Sequence, residues 1–241
     1  MRVLAIETAT AVCGAAIIED GHVKAERSIE ARQIHSQKIM GLIDEVLQAT
    51  HSTIREIDGI AVSIGPGSFT GLRIGLSTAK GLAHAAEKPI VAVPTLQALA
   101  MHVVRQAKVS DGALILPMID ARRNEVYAAG HRIENGKLHE VVSTRSIVLS
   151  DLYEMLDGEE QILLAGDGTE KFQQVIMTIH ADQRHRFLIP PREHRLCNAA
   201  AIGLLGELQL LQGERADVAS LEPFYVKEFY TTTKPQPLVH R

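Results

Sequence analysis

Tryptophan is absent, and Phe and Tyr bring the aromatic share to only 4% of 241 residues. That supply is too thin for a base-stacking platform of the kind that holds single-stranded nucleic acid. Only two cysteines occur, Cys13 and Cys197, far apart and in no CxxC pair. A disulfide framework is excluded, a reducing cytoplasmic compartment is expected, and both thiols read as small buried hydrophobes. The longest apolar run, AVCGAAII at 11–18, is well short of the about 20 residues that cross a bilayer. Glu7 interrupts the apolar N-terminus and Arg2 is its one early cation, so no export signal is expected and no membrane role. Nor is there a basic run. Net charge is −4, and the nearest approach is Arg122-Arg123 and the arginines scattered from Arg184 to Arg195. Unaided grip on nucleic acid calls for a basic patch, so any RNA role is expected to run through a partner. Eleven histidines are present, yet none are spaced as HxxxH; His180 and His185 lie five apart, His131 and His139 eight. No metal site is expected.

What is present is ordinary globular composition, 46% hydrophobic and 22% charged. Strands are expected at 3–6, 12–18 and 22–29, with Asp20-Gly21 turning the second into the third. A helix over His35–Ala49 carries Ile39, Leu42, Ile43, Val46 and Leu47 on one stripe. Then come a strand at 60–64, a glycine-rich segment, a helix over 72–86, a short strand at 91–93 and a helix from Pro94-Thr95 to Gln106. The second half repeats the order. Strands are expected at 114–119, 125–133 and 138–142, with Asn135-Gly136 as the hairpin turn. A helix at 151–156 with Ser150 as N-cap follows, then a strand at 162–165, a turn at Gly166-Asp167-Gly168, and a helix to His180. A strand at 187–189 and a helix over 198–211 complete it.

Twice, then, three strands lead to a helix, a strand, a glycine turn and a helix, with no repeat at residue level. This predicts an α/β fold of two similar lobes, each with a mixed sheet and crossover helices, divided as 1–107 and 108–212. The actin/hexokinase-like architecture has this form, as do other two-lobed α/β arrangements. Residues 213–241, with Pro223, Pro235 and Pro237, read as an irregular tail, mobile near its end, whose segment LEPFYVKEF at 221–229 can pack back on the body.

The glycine segment, GPGSFTGLRIG at 65–75, is the richest in the chain. Turns of this kind cradle phosphates when amide groups and a helix N-terminus point at the anion. Here the spacing is GxGxxxG, no GK[ST] follows, and Pro66 removes one donor. Ser68 directly follows Gly67, so it is not a GxSxG nucleophile elbow either. A strand-to-helix turn capped by Ser68 or Thr70 is the reading favoured on physical grounds. In the helix that follows, Gly71, Gly75, Ala79 and Ala83 recur every four residues and leave one face nearly flat. Another helix can approach such a face closely, from within the chain or from a partner.

A second set of residues would suit a nucleotide cleft. Glu7 and Thr8 stand where the first strand turns, in IETAT, and Asp120 ends the matching strand of the second half. An acid followed by hydroxyls can hold hydrated Mg²⁺ and phosphate. Gly67, Gly166 and Asp167 could line the same cleft. Actin-like phosphotransferases carry Asp where Glu7 stands, and a solvent-facing strand-end carboxylate is an equal reading.

VLAIETAT, HSQKIMGLIDEVL, SIGPGSFTGLRIGLSTAKGLA and IDARRNEVYAA together resemble the TsaB family, also called YeaZ, densely over the first 130 or so residues and less afterwards. The resemblance implies an actin/hexokinase-like fold and work in installing threonylcarbamoyl on the adenosine beside the anticodon of tRNA. It implies a non-catalytic subunit that pairs with a catalytic paralogue, TsaD, which carries the HxxxH metal motif, and joins an assembly with the small ATPase TsaE. It also implies that the subunit self-associates as a homodimer through the same helices, and touches tRNA indirectly. The docking positions carried over are His35, Ile39, Leu42, Ile43 and Val46 on one helix and Gly71, Arg73, Gly75, Thr78, Ala79 and Leu82 on the next. No cofactor is expected on the chain alone, with ATP or ADP and Mg²⁺ entering in the assembled complex. The competing reading is an ATP-dependent phosphotransferase using Glu7, Asp120 and the glycine turns.

Overall fold

The computed structural model describes residues 1–227 except 32, 108, 135, 136 and 180, and no side chains at 179–183. The turn expected at Asn135-Gly136, the helix end at His180 and the tail beyond residue 227 lie outside these residues.

The first sheet holds β1 (Arg2–Glu7), β2 (Val12–Glu19), β3 (His22–Glu30), β4 (Gly59–Gly65) and β5 (Ile90–Pro94) in the order β3-β2-β1-β4-β5. The second holds β6 (Leu114–Asp120), β7 (Glu125–Glu134), β8 (Lys137–Val148), β9 (Ile162–Ala165) and β10 (Phe187–Leu188) in the order β10-β9-β6-β7-β8. Each has the same wiring, with two antiparallel pairings among its first three strands and two parallel pairings beyond. The helices are α1 (His35–Ala49), α2 (Phe69–Ala86), α3 (Thr95–Gln106), α4 (Leu149–Glu154), α5 (Gly168–Ile179), α6 (Arg192–Arg195) and α7 (Ala199–Leu211). The duplicated two-lobe α/β fold is therefore present.

Alternation along β1 sets the layers. Leu4 and Ile6 face α1 and α2, where Ile39, Leu42, Ile43, Val46, Leu76 and Ala79 cover them. Val3 and Ala5 face the other way, onto Ile202, Leu205 and Leu210 of α7. In the second sheet Leu114, Leu116 and Met118 meet Leu152 of α4 and Phe172 and Ile176 of α5. Ile115 and Ile119 meet Leu96, Leu99 and Val103 of α3. A division at residue 107 consequently does not separate the packing units. Helix α3 follows the first sheet in sequence and covers the second, whereas α7 follows the second and covers the first. Between two sheets, a crossed helix pair buries the inner face of both.

Local differences from expectation are at the ends of elements. Strand β8 runs to Val148, beyond the expected 142, and α4 starts at Leu149 with Val148 as N-cap. Ser150 does not cap it; its hydroxyl lies inside the helix and donates to Asp151 at 3.0 Å. Asp20-Gly21 does turn β2 into β3, both residues having positive φ. Among the described residues no helix is long and apolar enough to cross a membrane.

Candidate partner-binding face and interlobe cleft

The glycine segment closes on the turn after β1. Ser68 caps α2, its Oγ accepting from the Gly71 amide at 3.2 Å, while its own amide donates to the Ala9 carbonyl at 2.6 Å. Thr8 Oγ1 donates to the Gly71 carbonyl at 2.8 Å. A Cβ at Gly71 would stand 2.1 Å from the Thr8 carbonyl oxygen, and one at Gly75 2.2 Å from Thr8 Oγ1. The glycines let a helix seat on a strand turn, which is the capped-turn reading, and the Ser68 amide is not free for a phosphate.

The same contacts relocate most of the expected docking residues. His35, Ile39, Leu42, Ile43, Val46, Gly71, Gly75 and Ala79 are all buried inside this chain. His35 Nε2 lies 3.0 Å from the Thr10 carbonyl. The apolar and small stripes of α1 and α2 thus pack on their own sheet and turn, with His35 and Gly71 also reaching the wall of the cleft between the lobes. Thr78 and Leu82 are half-buried; Arg73 is exposed.

A second small-residue row looks outward. Ser77, Gly81 and Ala85 recur every four residues and are exposed. Gly75 and Ser77 are two residues, about 200°, apart on the helix, so the two rows back onto each other. On neighbouring α1, Gly41 and Met40 are exposed too, Met40 by 53%. A Cβ at Gly41 or Gly81 meets nothing within 4 Å among the described residues. Mid-helix glycine costs about 1 kcal/mol against alanine, and nothing within the described chain accounts for it at these two positions. The sequence signal was available, being the same four-residue spacing, but hidden behind the longer glycine row.

Between the lobes lies a cleft of about 730 Å³. Gly67, Asp120 and Asp167 line it, together with Thr10, Ser68 and Arg122. Glu7, Thr8 and Gly166 do not; they are buried behind the wall. Glu7 Oε1 accepts from the Ala9 amide at 2.6 Å, and Oε2 has no partner among the described residues. Burial raises its pKa to about 7. Asp120 Oδ1 takes both the Arg122 amide, at 2.7 Å, and Lys171 Nζ, at 2.5 Å. Asp167 Oδ1 accepts from the Asp120 amide at 3.0 Å, and burial raises its pKa. A magnesium nucleotide does not fit this donor set well: the first lobe's acid is walled off and the second's is already paired with a lysine. Among the described residues no three His, Cys, Asp or Glu side chains gather closely enough to hold a metal ion.

The family model described as TsaD, tRNA N6-adenosine threonylcarbamoyltransferase, matches residues 28–233. A tRNA threonylcarbamoyladenosine biosynthesis protein TsaB from Bacillus subtilis is 32% identical over 228 residues, 94% of each chain. The solved structure of YeaZ from Pseudomonas aeruginosa superposes with a TM-score of 0.74 at 23% identity, covering 93% of this chain and 99% of that one. The activator of 2-hydroxyisocaproyl-CoA dehydratase from Clostridium difficile, solved with bound ADPNP, gives 0.52 at 10% identity, covering 90% and 99%. The last two likenesses concern the fold, which is actin/hexokinase-like. The chain belongs to the family that this model describes, and to its TsaB (YeaZ) members.

Proposed function

We propose that this chain is a non-catalytic subunit of the cytoplasmic assembly that makes threonylcarbamoyladenosine in tRNA, and that it supports TsaD by docking through the outward face of α1 and α2. One observation carries the choice of surface: Gly41 and Gly81 stand exposed in mid-helix with open space where a side chain would go. A row of small residues lets a partner helix approach closely, and the exposed Met40 of α1 offers an apolar contact. The non-catalytic reading is supported by the lysine-paired Asp120 and the walled-off Glu7. On this reading TsaE and tRNA are reached through the complex, and two copies of the chain pair through the same face when TsaD is missing.

The test is Gly81→Arg mixed with TsaD and followed by size-exclusion chromatography. No atom of the described residues lies within 4 Å of a Cβ at this exposed position, so the longer side chain can extend into solvent and the fold is kept. Docking weakens by ~2 kcal/mol or more, as for a central interface position. Co-elution equal to that of the unaltered chain would overturn this surface.

A further inference from the structure

The tail does more than pack back on the body. After α7 it returns to the first lobe, where the Ala216 amide donates to the Ile90 carbonyl at 2.8 Å and Val218 and Leu221 pack against the first core. At the end of β4 the Phe224 amide donates to the Ile64 carbonyl at 2.7 Å. Gly65 makes this possible. It has φ of +124°, and a Cβ there would stand 2.3 Å from the Phe224 carbonyl oxygen. The next residue, Tyr225, stacks on Phe69 with ring centroids 4.9 Å apart and accepts from Arg73 Nε at 3.1 Å. Arg73 in turn lies over the Phe69 ring at 3.8 Å. Two residues later the chain is on the other lobe. Lys227 Nζ lies 2.6 Å from Glu125 Oε2, at the start of β7, and 5.8 Å from the Tyr127 ring centroid. Phe224, Tyr225, Val226 and Lys227 all line the interlobe cleft.

We infer that residues 224–227 form a strap across the cleft, fixed to the first lobe and held to the second by a releasable ion pair between Lys227 and Glu125. The two ends differ in kind. The first-lobe end combines a backbone hydrogen bond, a ring stack and a close approach that only glycine permits. Among the described residues, the second-lobe end is one partly exposed ion pair with a cation–π contact, an interaction that shifts an equilibrium by a factor of about five at most. Ser146 also donates to Glu125, at 2.6 Å, and Lys227 with Ser146 holds that carboxyl below its ordinary range. The Ser146 hydroxyl bonds the same oxygen that Lys227 meets, and so holds the carboxyl in place. A second ion-pair bridge between lobes, Arg192 to Glu30 of β3 and Glu170 of α5, involves no residue of the cleft wall. Among the described residues, the Lys227–Glu125 pair is thus the interlobe ion pair that reaches the cleft wall. This strap does not depend on the proposed docking to TsaD.

Amide hydrogen exchange followed by mass spectrometry on the full chain tests it, with Lys227→Glu, Glu125→Lys and the double exchange of charges. Each single variant should speed exchange by roughly two- to five-fold in the cleft-wall segments 66–70 and 119–122. The double variant should return it to the original rate, while α7 stays unchanged throughout. Single variants that leave the cleft wall unaltered, or quicken only the tail, overturn the strap. So does a double variant that exchanges as fast as the singles.

Discussion

The two lobes share one wiring but differ in what their outer helices show to solvent. In the first lobe the helix pair is long, α1 with 15 residues and α2 with 18. Its outer face is kept low by Gly41, Ser77, Gly81 and Ala85. In the second, α4 has 6 residues and α5 has 12, and α5 exposes Glu170, Gln174, Met177 and Thr178. Inner packing is matched in kind, with helices seated on strand ends through glycine turns. Gly71 approaches Thr8 in one lobe, and a Cβ at Gly166 would stand 1.8 Å from the Met118 carbonyl in the other. A duplicated fold therefore conserves the inner seats, because the sheet demands them, and is free to diverge outside. The lobe that diverged toward a smooth surface is the one to expect in an interface.

The largest break in this comparison is Gly71→Ala. One methyl placed 2.1 Å from a backbone oxygen forces apart the seat between α2 and the turn after β1. Overpacking against backbone should destabilise the chain by about 3 kcal/mol, read as a fall in the denaturation midpoint. An unchanged midpoint would mean that the seat is loose and that its glycines are not there for close approach.

Each lobe also buries a titratable group with an unmet polar atom, and the two are of opposite kind. Glu7 in the first has its pKa raised to about 7 by burial; His131 in the second has its own lowered to about 4 by the same cause. Among the described residues neither His131 ring nitrogen has a partner. Because Glu7 binds its proton more tightly when folded, its contribution is full below about pH 4.5 and is lost as pH rises through 7. Because His131 binds its proton more weakly when folded, its contribution is full above about 6.5 and is lost as pH falls through 4. Each amounts to about 3 kcal/mol over its window, with opposite slope between pH 4.5 and 6.5. Glu7→Gln should therefore leave stability rising with pH across that window, and His131→Leu should leave it falling. Urea midpoints at three pH values check both, and parallel profiles for the two variants would refute the pairing.

Much of this was legible in the sequence, for physical reasons that differ from site to site. Strand alternation and the Asp20-Gly21 turn placed the sheets, since burial fixes the period and positive φ fixes the turn. The capping role of Ser68 followed from its place before an apolar helix. The exchange of α3 and α7 between lobes was not legible, because nothing local in a helix says which of two apolar sheets it covers. That most of the expected docking positions are buried has a related reason. Helical spacing identifies a face without saying which way it points, and Ile39, Leu42 and Val46 fit an inner or an outer stripe equally. Glu7 was expected on the cleft wall because strand ends are commonly open. Here the turn at Thr8 and Ala9, pressed by Gly67 and Gly71, shuts it in.

The smallest predicted effect bears most directly on the docking face. Gly81→Ala makes on the outer face of α2 the same change that Gly71→Ala makes on the inner, and should have the opposite sign. With nothing among the described residues within 4 Å of the new methyl, helix propensity decides the sign, and the isolated chain should gain ~0.5–1 kcal/mol. Gly41→Ala on α1 should do likewise. A gain at both shows that the two glycines weaken the free chain without any internal return, which leaves an external contact as the reason for them. A loss at either would reveal an internal constraint and remove the observation on which the docking face rests. If both gain while pairing with TsaD weakens, stability and docking are opposed at the same atoms, as expected where a partner helix needs the space a methyl would fill.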